Sequence, residues 1–115
     1  MSPGRMQILI VEDSLADYTL IRQMLSGLRD YATEVIHCVS LKEALDIIHN
    51  QHVDLILLDL ILPDSTGKQT FDQVLKVSGE TPVIILSGIS DAQIALDAVK
   101  VGAQDYLVKG EFDEK

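Results

Sequence analysis

The chain has 115 residues, and its 18 acidic against 9 basic side chains give a formal net charge of −9. This length suits one hydrophobic core and excludes a second catalytic domain, and the acidic balance disfavours direct binding to nucleic acid, whose phosphates attract basic proteins. The apolar run 53–62 is too short to span a membrane, no signal peptide is evident and Cys38 is the only cysteine, so we expect a cytoplasmic protein without membrane attachment.

Short apolar runs alternate with longer amphipathic segments from one end of the chain to the other. The runs of strand length cover residues 7–11, 34–38, 53–58, 82–86 and 105–108. Between them, apolar residues recur at helical spacing and predict four helices. Strands and helices that alternate in this way form a parallel sheet with helices on both faces, so the sequence predicts a doubly wound α/β fold.

Residue types that begin helices mark the predicted helix boundaries. Ser14, with Asp17 three residues later, is predicted to cap the first helix, and Ser40 the second. Asp91 is predicted to cap the fourth. Residues 110–115 have the polar character of the first turn of a fifth helix that is cut short.

Residues with site chemistry end four of the five predicted strands. They are Glu12 and Asp13 after the first strand, Asp59 after the third, Ser87 after the fourth and Lys109 after the fifth. In open parallel sheets, ligands bind at the carboxyl ends of the strands. The strand order 2-1-3-4-5 leaves the second strand at the edge of the sheet and brings the other four ends into one cleft, where we expect these side chains to lie together.

Three carboxylates close together repel one another and imply a cation among them. Oxygen ligands favour Mg²⁺, which takes one or two carboxylates and phosphate oxygens. With the metal and a lysine nearby, a carboxylate can attack a phosphoryl group, so the sequence predicts Mg²⁺ as cofactor and an aspartyl phosphate as product. His37, His49 and His52 follow no ligand spacing, and we interpret them as surface residues.

The same motifs resemble the receiver domain of two-component response regulators, a family with a flavodoxin-like fold. The resemblance extends over residues 7–110. We interpret residues 7–115 as a receiver domain and residues 1–6 as an N-terminal extension that is either native or foreign to the protein. The motifs that carry the resemblance are the acidic pair Glu12 and Asp13, then Asp59, Pro63, Gly67, the pair Ser87 and Gly88, and the run 106–109.

The resemblance implies a role for each residue of the metal site. Asp59 corresponds to the phosphoacceptor and also to a Mg²⁺ ligand. Asp13 is expected to bind the metal directly and Glu12 through water. The backbone carbonyl of Ile61 would complete the ligand set.

The resemblance also implies which residues respond to phosphorylation. Lys109 would pair with one phosphoryl oxygen, and Ser87 would hydrogen-bond another. Tyr106 corresponds to the switch aromatic, whose ring turns inward as Ser87 moves toward the phosphate. The face formed by the fourth helix, the fifth strand and Tyr106 would then repack, and a partner would read that change.

Two features depart from the family's usual pattern. Gly110 stands where Pro usually follows the lysine, often with a cis bond. Ile61 and Ile89 occupy positions whose side chains tune hydrolysis of the phosphoryl group, and both are aliphatic here. We predict that neither side chain orients an attacking water, so the phosphorylated state should be long-lived.

The resemblance implies a histidine kinase or a phosphotransfer protein as the phosphoryl donor. The output would be a downstream protein or an output domain beyond Lys115, and an incomplete fifth helix would favour a homodimer because part of the sheet is left uncovered. The chain is expected to be a phosphoaccepting signalling domain and not an enzyme, although it assists its own phosphorylation and dephosphorylation.

Three other functions use parts of the same pattern. An aspartyl phosphatase needs a second acid two residues after its nucleophile, where this chain has Ile61. A flavin carrier needs a hydroxyl-rich phosphate loop, where this chain has Glu12 and Asp13. A receiver-like binding module that does not depend on phosphorylation stays open as the alternative, although the complete set of acids, hydroxyl and lysine argues against it.

Overall fold

A computed structural model describes residues 5–27 and 33–109 of the chain. Five parallel strands form one sheet in the order β2-β1-β3-β4-β5. The strands are β1 (Met6–Val11), β2 (Thr33–Cys38), β3 (Leu55–Asp59), β4 (Val83–Ser87) and β5 (Asp105–Val108). The predicted doubly wound α/β fold and its strand order are therefore confirmed.

Four helices connect these strands. They are α1 (Leu15–Leu25), α2 (Leu41–Asn50), α3 (Lys68–Ser78) and α4 (Ala92–Lys100). The first two begin as predicted, because the Ser14 hydroxyl accepts a hydrogen bond from the Asp17 N–H at 3.3 Å and the Ser40 hydroxyl accepts one from the Glu43 N–H at 3.2 Å. The caps fix where α1 and α2 leave the sheet edge that carries the acidic residues.

The central strands β1 and β3 are buried on both faces over most of their length, as their uninterrupted apolar runs predict. Along β1, Leu9 and Val11 belong to the core that α2, α3 and α4 cover, whereas Ile8 and Ile10 belong to the core on the α1 face. The side chains alternate in this way because a strand places successive residues on opposite faces. Packing on both sides holds the carboxyl ends of the central strands β1 and β3 in fixed positions.

The connection after β3 contains a short region of regular structure. Ile61–Leu62 and Ser65–Thr66 pair as a short antiparallel ladder, and Gly67 follows it with a φ of 69° that favours glycine. The buried Thr70 hydroxyl, at the start of α3, donates a hydrogen bond at 3.1 Å to the carbonyl of the residue after Asp59. These contacts hold the backbone directly beyond Asp59.

Asp91 is the residue directly before α4, as predicted, but its side chain does not cap the helix. Asp91 ends a 3₁₀ turn, Ile89–Asp91, and its side chain makes no capping hydrogen bond. The backbone N–H of Asp91 instead bonds the Gly88 carbonyl at 3.0 Å. Because the chain already turns before α4 begins, the turn takes the place of a side-chain cap.

None of the helices within residues 5–27 and 33–109 combines the length and the apolar character that crossing a membrane requires. Met6 already belongs to β1, where it pairs with Thr33. Residues 1–4 of the predicted extension, Gly110 and the predicted fifth helix over 110–115 lie outside the described residues.

Candidate functional site

The carboxyl ends of β1, β3, β4 and β5 meet at one edge of the sheet. The residues placed there are Glu12 and Asp13 after β1, Asp59 at the end of β3, Ser87 at the end of β4 and Lys109 after β5. Glu12, Asp13, Asp59 and Lys109 form one cluster, whereas the Ser87 hydroxyl turns toward its own loop. The strand order brings these residues together from distant parts of the chain.

Three carboxylates crowd this cluster. Glu12, Asp13 and Asp59 each place one oxygen within 4.8 Å of the other two. Glu12 is completely buried and Asp59 is 5% exposed, whereas Asp13 is exposed to solvent. Acids at such short range repel one another, so the arrangement needs positive charge.

The environment of Glu12 favours its protonated form. Burial, followed by the charge of Asp59, raises the pKa of Glu12 to about 7 from an ordinary value of 4.5. Hydrogen bonds from the Ser14 N–H at 3.1 Å and from Lys109 at 3.0 Å oppose this shift without cancelling it. One buried acid at this site therefore titrates near neutral pH.

The donor set fits a hard divalent cation. All three groups are carboxylates, and Mg²⁺ prefers oxygen ligands and keeps several of its waters, which the exposed Asp13 side of the cluster can accommodate. Glu12, Asp13 and Asp59 are the residues that could hold such an ion. A cation at this position would also relieve the repulsion that raises the pKa of Glu12.

The ammonium group of Lys109 has three acidic partners. Its Nζ donates hydrogen bonds at 3.0 Å to Glu12 Oε1 and at 3.0 Å to Asp59 Oδ2, and it forms an ion pair at 2.9 Å with Asp17 Oδ2. Burial lowers the pKa of Lys109, but the contact with Asp17 and the charge of Asp59 outweigh burial and raise the pKa above its usual value. Lys109 is therefore a permanent cation at the site.

Asp17 is a site residue that the sequence interpretation missed. Its backbone N–H serves the predicted cap of α1, but its carboxylate points to Lys109. A signal was available, because the first turn of α1 follows β1 directly and must lie at the same edge of the sheet as the acidic pair.

The carboxylate of Asp59 is held by a donor on each oxygen. Asp59 Oδ1 accepts a hydrogen bond from the Ile61 N–H at 2.9 Å, and Oδ2 accepts the bond from Lys109. The Ile61 side chain is 41% exposed and brings no polar atom to the site. These two hydrogen bonds fix the orientation of the Asp59 carboxylate.

Ser87 and Tyr106 lie beside this cluster on β4 and β5. The Ser87 hydroxyl is buried and donates a hydrogen bond to the Gly88 carbonyl at 2.8 Å, and Ser87 shares a cavity of about 10 Å³ with Asp59. Tyr106 is half-buried and packs against the core that α4 covers. The side chain of Ile89 lies outside the described part of the structure.

His37 is less exposed than the prediction of a surface residue implies. Its ring is half-buried and stacks on Tyr18 with the ring centroids 3.7 Å apart, and its Nε2 lies 2.8 Å from the Glu12 carbonyl oxygen. The contact arises because β2 pairs with β1, so the edge strand passes beside the acidic pair. His49 and His52 are exposed, as expected.

Comparison of the sequence with known protein families leads to the same class of protein as the fold and the acidic cluster. The sequence profile of the response regulator receiver domain matches residues 8–115. The chain belongs to this family: it is a receiver domain of the kind that response regulators use in two-component signal transduction. Among its relatives is the transcriptional regulatory protein ZraR of Escherichia coli, 29% identical over 109 residues, a match that covers 95% of this chain and 24% of ZraR.

A second relative carries a different activity in its name. It is the protein-glutamate methylesterase/protein-glutamine glutaminase 3 of Paramagnetospirillum magneticum, 28% identical over 106 residues, with 92% of this chain and 29% of that protein covered. The chain thus spans about a quarter of the length of ZraR and of this methylesterase.

Solved receiver domains have the same fold. The receiver domain of NtrX from Brucella abortus is 26% identical with a TM-score of 0.75, and the comparison covers 92% of this chain and 91% of that one. The receiver domain of the sensor histidine kinase PA1611 from Pseudomonas aeruginosa is 26% identical with a TM-score of 0.73, covering 94% and 91%. The latter structure holds a magnesium ion coordinated in its active site cleft.

Proposed function

We propose that this receiver domain accepts a phosphoryl group on Asp59 and thereby switches a surface that a partner reads. The observation that carries the proposal is the setting of Asp59, whose carboxylate is held between Lys109 and the Ile61 N–H beside two further acids. Positioning and charge neutralisation are the main requirements of phosphoryl transfer, and this setting offers both.

The proposed reaction forms one bond to Asp59 and breaks one bond to the donor. A carboxylate oxygen of Asp59 attacks the phosphorus atom of a phosphohistidine on a histidine kinase or phosphotransfer protein. The new P–O bond forms as the P–N bond breaks, and the electron pair of the broken bond stays on the imidazole. With acetyl phosphate as donor, acetate leaves with the electron pair of the broken P–O bond. Lys109 offsets the charge on the phosphoryl oxygens.

The neighbouring acids would hold Mg²⁺ during this reaction. Asp13 would bind it directly, Glu12 through water, and Asp59 and the Ile61 carbonyl would supply further oxygens. When bound, the ion would supply additional positive charge for the phosphoryl oxygens. The magnesium ion in the active site cleft of the PA1611 receiver domain supports this assignment.

Ser87 and Tyr106 would convert phosphorylation into a change of shape. The phosphoryl group adds about 1.5 to 2 negative charges and three acceptor oxygens next to Ser87. Rotation of the Ser87 hydroxyl away from the Gly88 carbonyl would give it a charge-assisted partner on the phosphoryl group. Tyr106, half-buried on the next strand, would turn inward and repack the face that α4 and β5 share.

The partners follow from this role. A histidine kinase or phosphotransfer protein would donate the phosphoryl group in the cytoplasm, and the repacked face would act on a downstream protein or an attached output domain. The greater length of ZraR and of the methylesterase, which this chain matches over about a quarter of their length, supports an output carried by another segment. The domain accepts the group once in each signalling event and acts on no other substrate.

Incubation with acetyl phosphate and Mg²⁺, followed by intact mass spectrometry, tests the proposal. We expect the parent and an Asp46→Asn control, which lacks an exposed acid on α2, to gain the mass of one phosphoryl group. Asp59→Asn should gain none. A parent that never gains the group would leave a phosphorylation-independent binding module as the function.

A further inference from the structure

Lys109 has one partner more than the proposed reaction uses. Glu12 and Asp59 accept directional hydrogen bonds from its Nζ, and both belong to the proposed metal and phosphoryl site. Asp17 adds an ion pair at 2.9 Å from the first turn of α1. The carboxylate of Asp17 takes part in no step of the proposed reaction.

The three partners differ in what they lose when the ammonium moves away. The side chains of Glu12 and Asp59 are 0% and 7% exposed, so losing Lys109 would leave a buried carboxyl oxygen on each without its hydrogen-bond donor. The Asp17 side chain is 32% exposed, and water can replace Lys109 there. Asp17 is therefore the partner that Lys109 can exchange at the lowest cost.

We propose that Asp17 is a positioning residue that competes with the phosphoryl group for Lys109. This inference rests on the proposed function. In the unphosphorylated protein, Asp17 draws the ammonium toward α1. When a phosphoryl group is present on Asp59, Lys109 turns to its oxygens and Asp17 becomes hydrated. The strength of the Asp17 contact thereby sets how readily the phosphorylated state forms.

Removing the charge of Asp17 should change the affinities of the site for an anion and for a cation in opposite directions. An anionic analogue of the phosphoryl group should bind more tightly, because Lys109 is released from Asp17 and one repulsive negative charge is lost. Mg²⁺ in the absence of the analogue should bind more weakly, because the ammonium of Lys109 then stays beside Glu12 and Asp59 and repels the ion. A substitution that only loosened the site would weaken the binding of both.

The experiment follows both ligands by two-dimensional NMR of the ¹⁵N-labelled protein. Mg²⁺ is titrated alone, and beryllofluoride, an analogue of the phosphoryl group, is titrated at saturating Mg²⁺. For Asp17→Asn we expect about threefold less beryllofluoride at half-saturation and about twofold more Mg²⁺, effects typical of a partly exposed ion pair. Asp17→Glu, which keeps the carboxylate, should return both midpoints toward the parent.

Two further variants separate the contact with Lys109 from a general effect of charge. Asp46→Asn removes the same charge from the exposed surface of α2 and should leave both midpoints near those of the parent. In a Lys109→Gln background, Asp17→Asn should shift the Mg²⁺ midpoint less than it does in the parent background. An undiminished shift there would show that Asp17 does not act through Lys109 and would overturn the proposal.

The outcomes distinguish this inference from the proposed function. A parent that fails to respond to beryllofluoride while Asp59 is intact would contradict the proposed function. If the parent responds, two results would overturn only the role of Asp17. In the first, Asp17→Asn binds beryllofluoride no better than the parent does. In the second, Asp17→Asn binds both beryllofluoride and Mg²⁺ more weakly. An equal gain in Asp46→Asn would do the same.

Discussion

Protonation of Glu12 should weaken Mg²⁺ binding as the pH falls from 8 to 6. Burial and then the charge of Asp59 raise the pKa of Glu12 to about 7. A carboxylate must be ionised to hold a metal, so protons compete with Mg²⁺ for it. Because the pKa is raised, this competition begins near neutral pH, well above the ordinary value of 4.5.

The size of the effect follows from the ratio of protonated to ionised Glu12. The apparent dissociation constant is multiplied by one plus that ratio, which is about 1.1 at pH 8 and about 11 at pH 6 for a pKa of about 7, so the affinity for Mg²⁺ falls about tenfold. Without metal, the folded state holds a proton that the unfolded state releases. The free energy of unfolding should therefore fall as the pH rises from about 4.5 to about 7.

Isothermal titration calorimetry with MgCl₂ at pH 6, 7 and 8 and constant ionic strength measures this dependence. Glu12→Gln should bind Mg²⁺ more weakly and lose the dependence on pH. His37→Gln, which changes the imidazole beside the Glu12 carbonyl, should keep the dependence. A flat profile in the parent, or a slope that survives in Glu12→Gln, would refute the reasoning.

Three further variants, one of them a double substitution, test other parts of the structure. His37→Ala should weaken Mg²⁺ binding about threefold in calorimetry, because the backbone at Glu12 loses its side-chain partner. Gln at Ile61 together with Glu at Ile89 should shorten the lifetime of the phosphorylated protein, timed by intact mass in excess Mg²⁺, because polar side chains can orient water. Phe71→Ala should lower the free energy of unfolding in urea by about 3 to 5 kcal/mol, because Phe71 is buried in the core.

Each of these substitutions has a control or a result that would count against it. His49→Ala changes an exposed histidine on α2 and should bind Mg²⁺ like the parent, so an equal loss there would remove the role of His37. An unchanged lifetime in the polar variants would show that residues 61 and 89 do not limit hydrolysis. Leu75→Ala truncates a residue that is 37% exposed. Phe71→Ala must lower the free energy of unfolding clearly more than this control does.

The fold could be predicted because its signals are local. Apolar runs without alternation mark strands that are buried on both faces, and β1 shows the consequence, with Leu9 and Ile10 packed in different cores. Parallel order and the rule that sites lie at the carboxyl ends of strands then brought Glu12, Asp59 and Lys109 into one cleft. These features follow from the order of residue types along the chain and do not depend on the conformation of any side chain.

The contacts that could not be predicted depend on packing between distant segments. Asp17 has two roles, and the capping pattern reveals only the backbone one, because the carboxylate meets Lys109 only when α1 lies beside the end of β5. His37 reaches Glu12 through the pairing of β2 with β1. The sequence places Asp91 correctly before α4 but does not reveal the 3₁₀ turn Ile89–Asp91, and the side chain of Asp91 makes no capping hydrogen bond.

The position of the phosphoryl group is the measurement that tests the central claim most directly. Borohydride reduces an aspartyl phosphate to homoserine, which tandem mass spectrometry of peptides can locate. After treatment with acetyl phosphate and Mg²⁺, we expect homoserine at position 59 and at no other acid. Homoserine at Asp13, 5-hydroxynorvaline (the corresponding product of a glutamyl phosphate) at Glu12, or a protein that yields neither while remaining folded, would contradict the assignment of Asp59 as the phosphoacceptor.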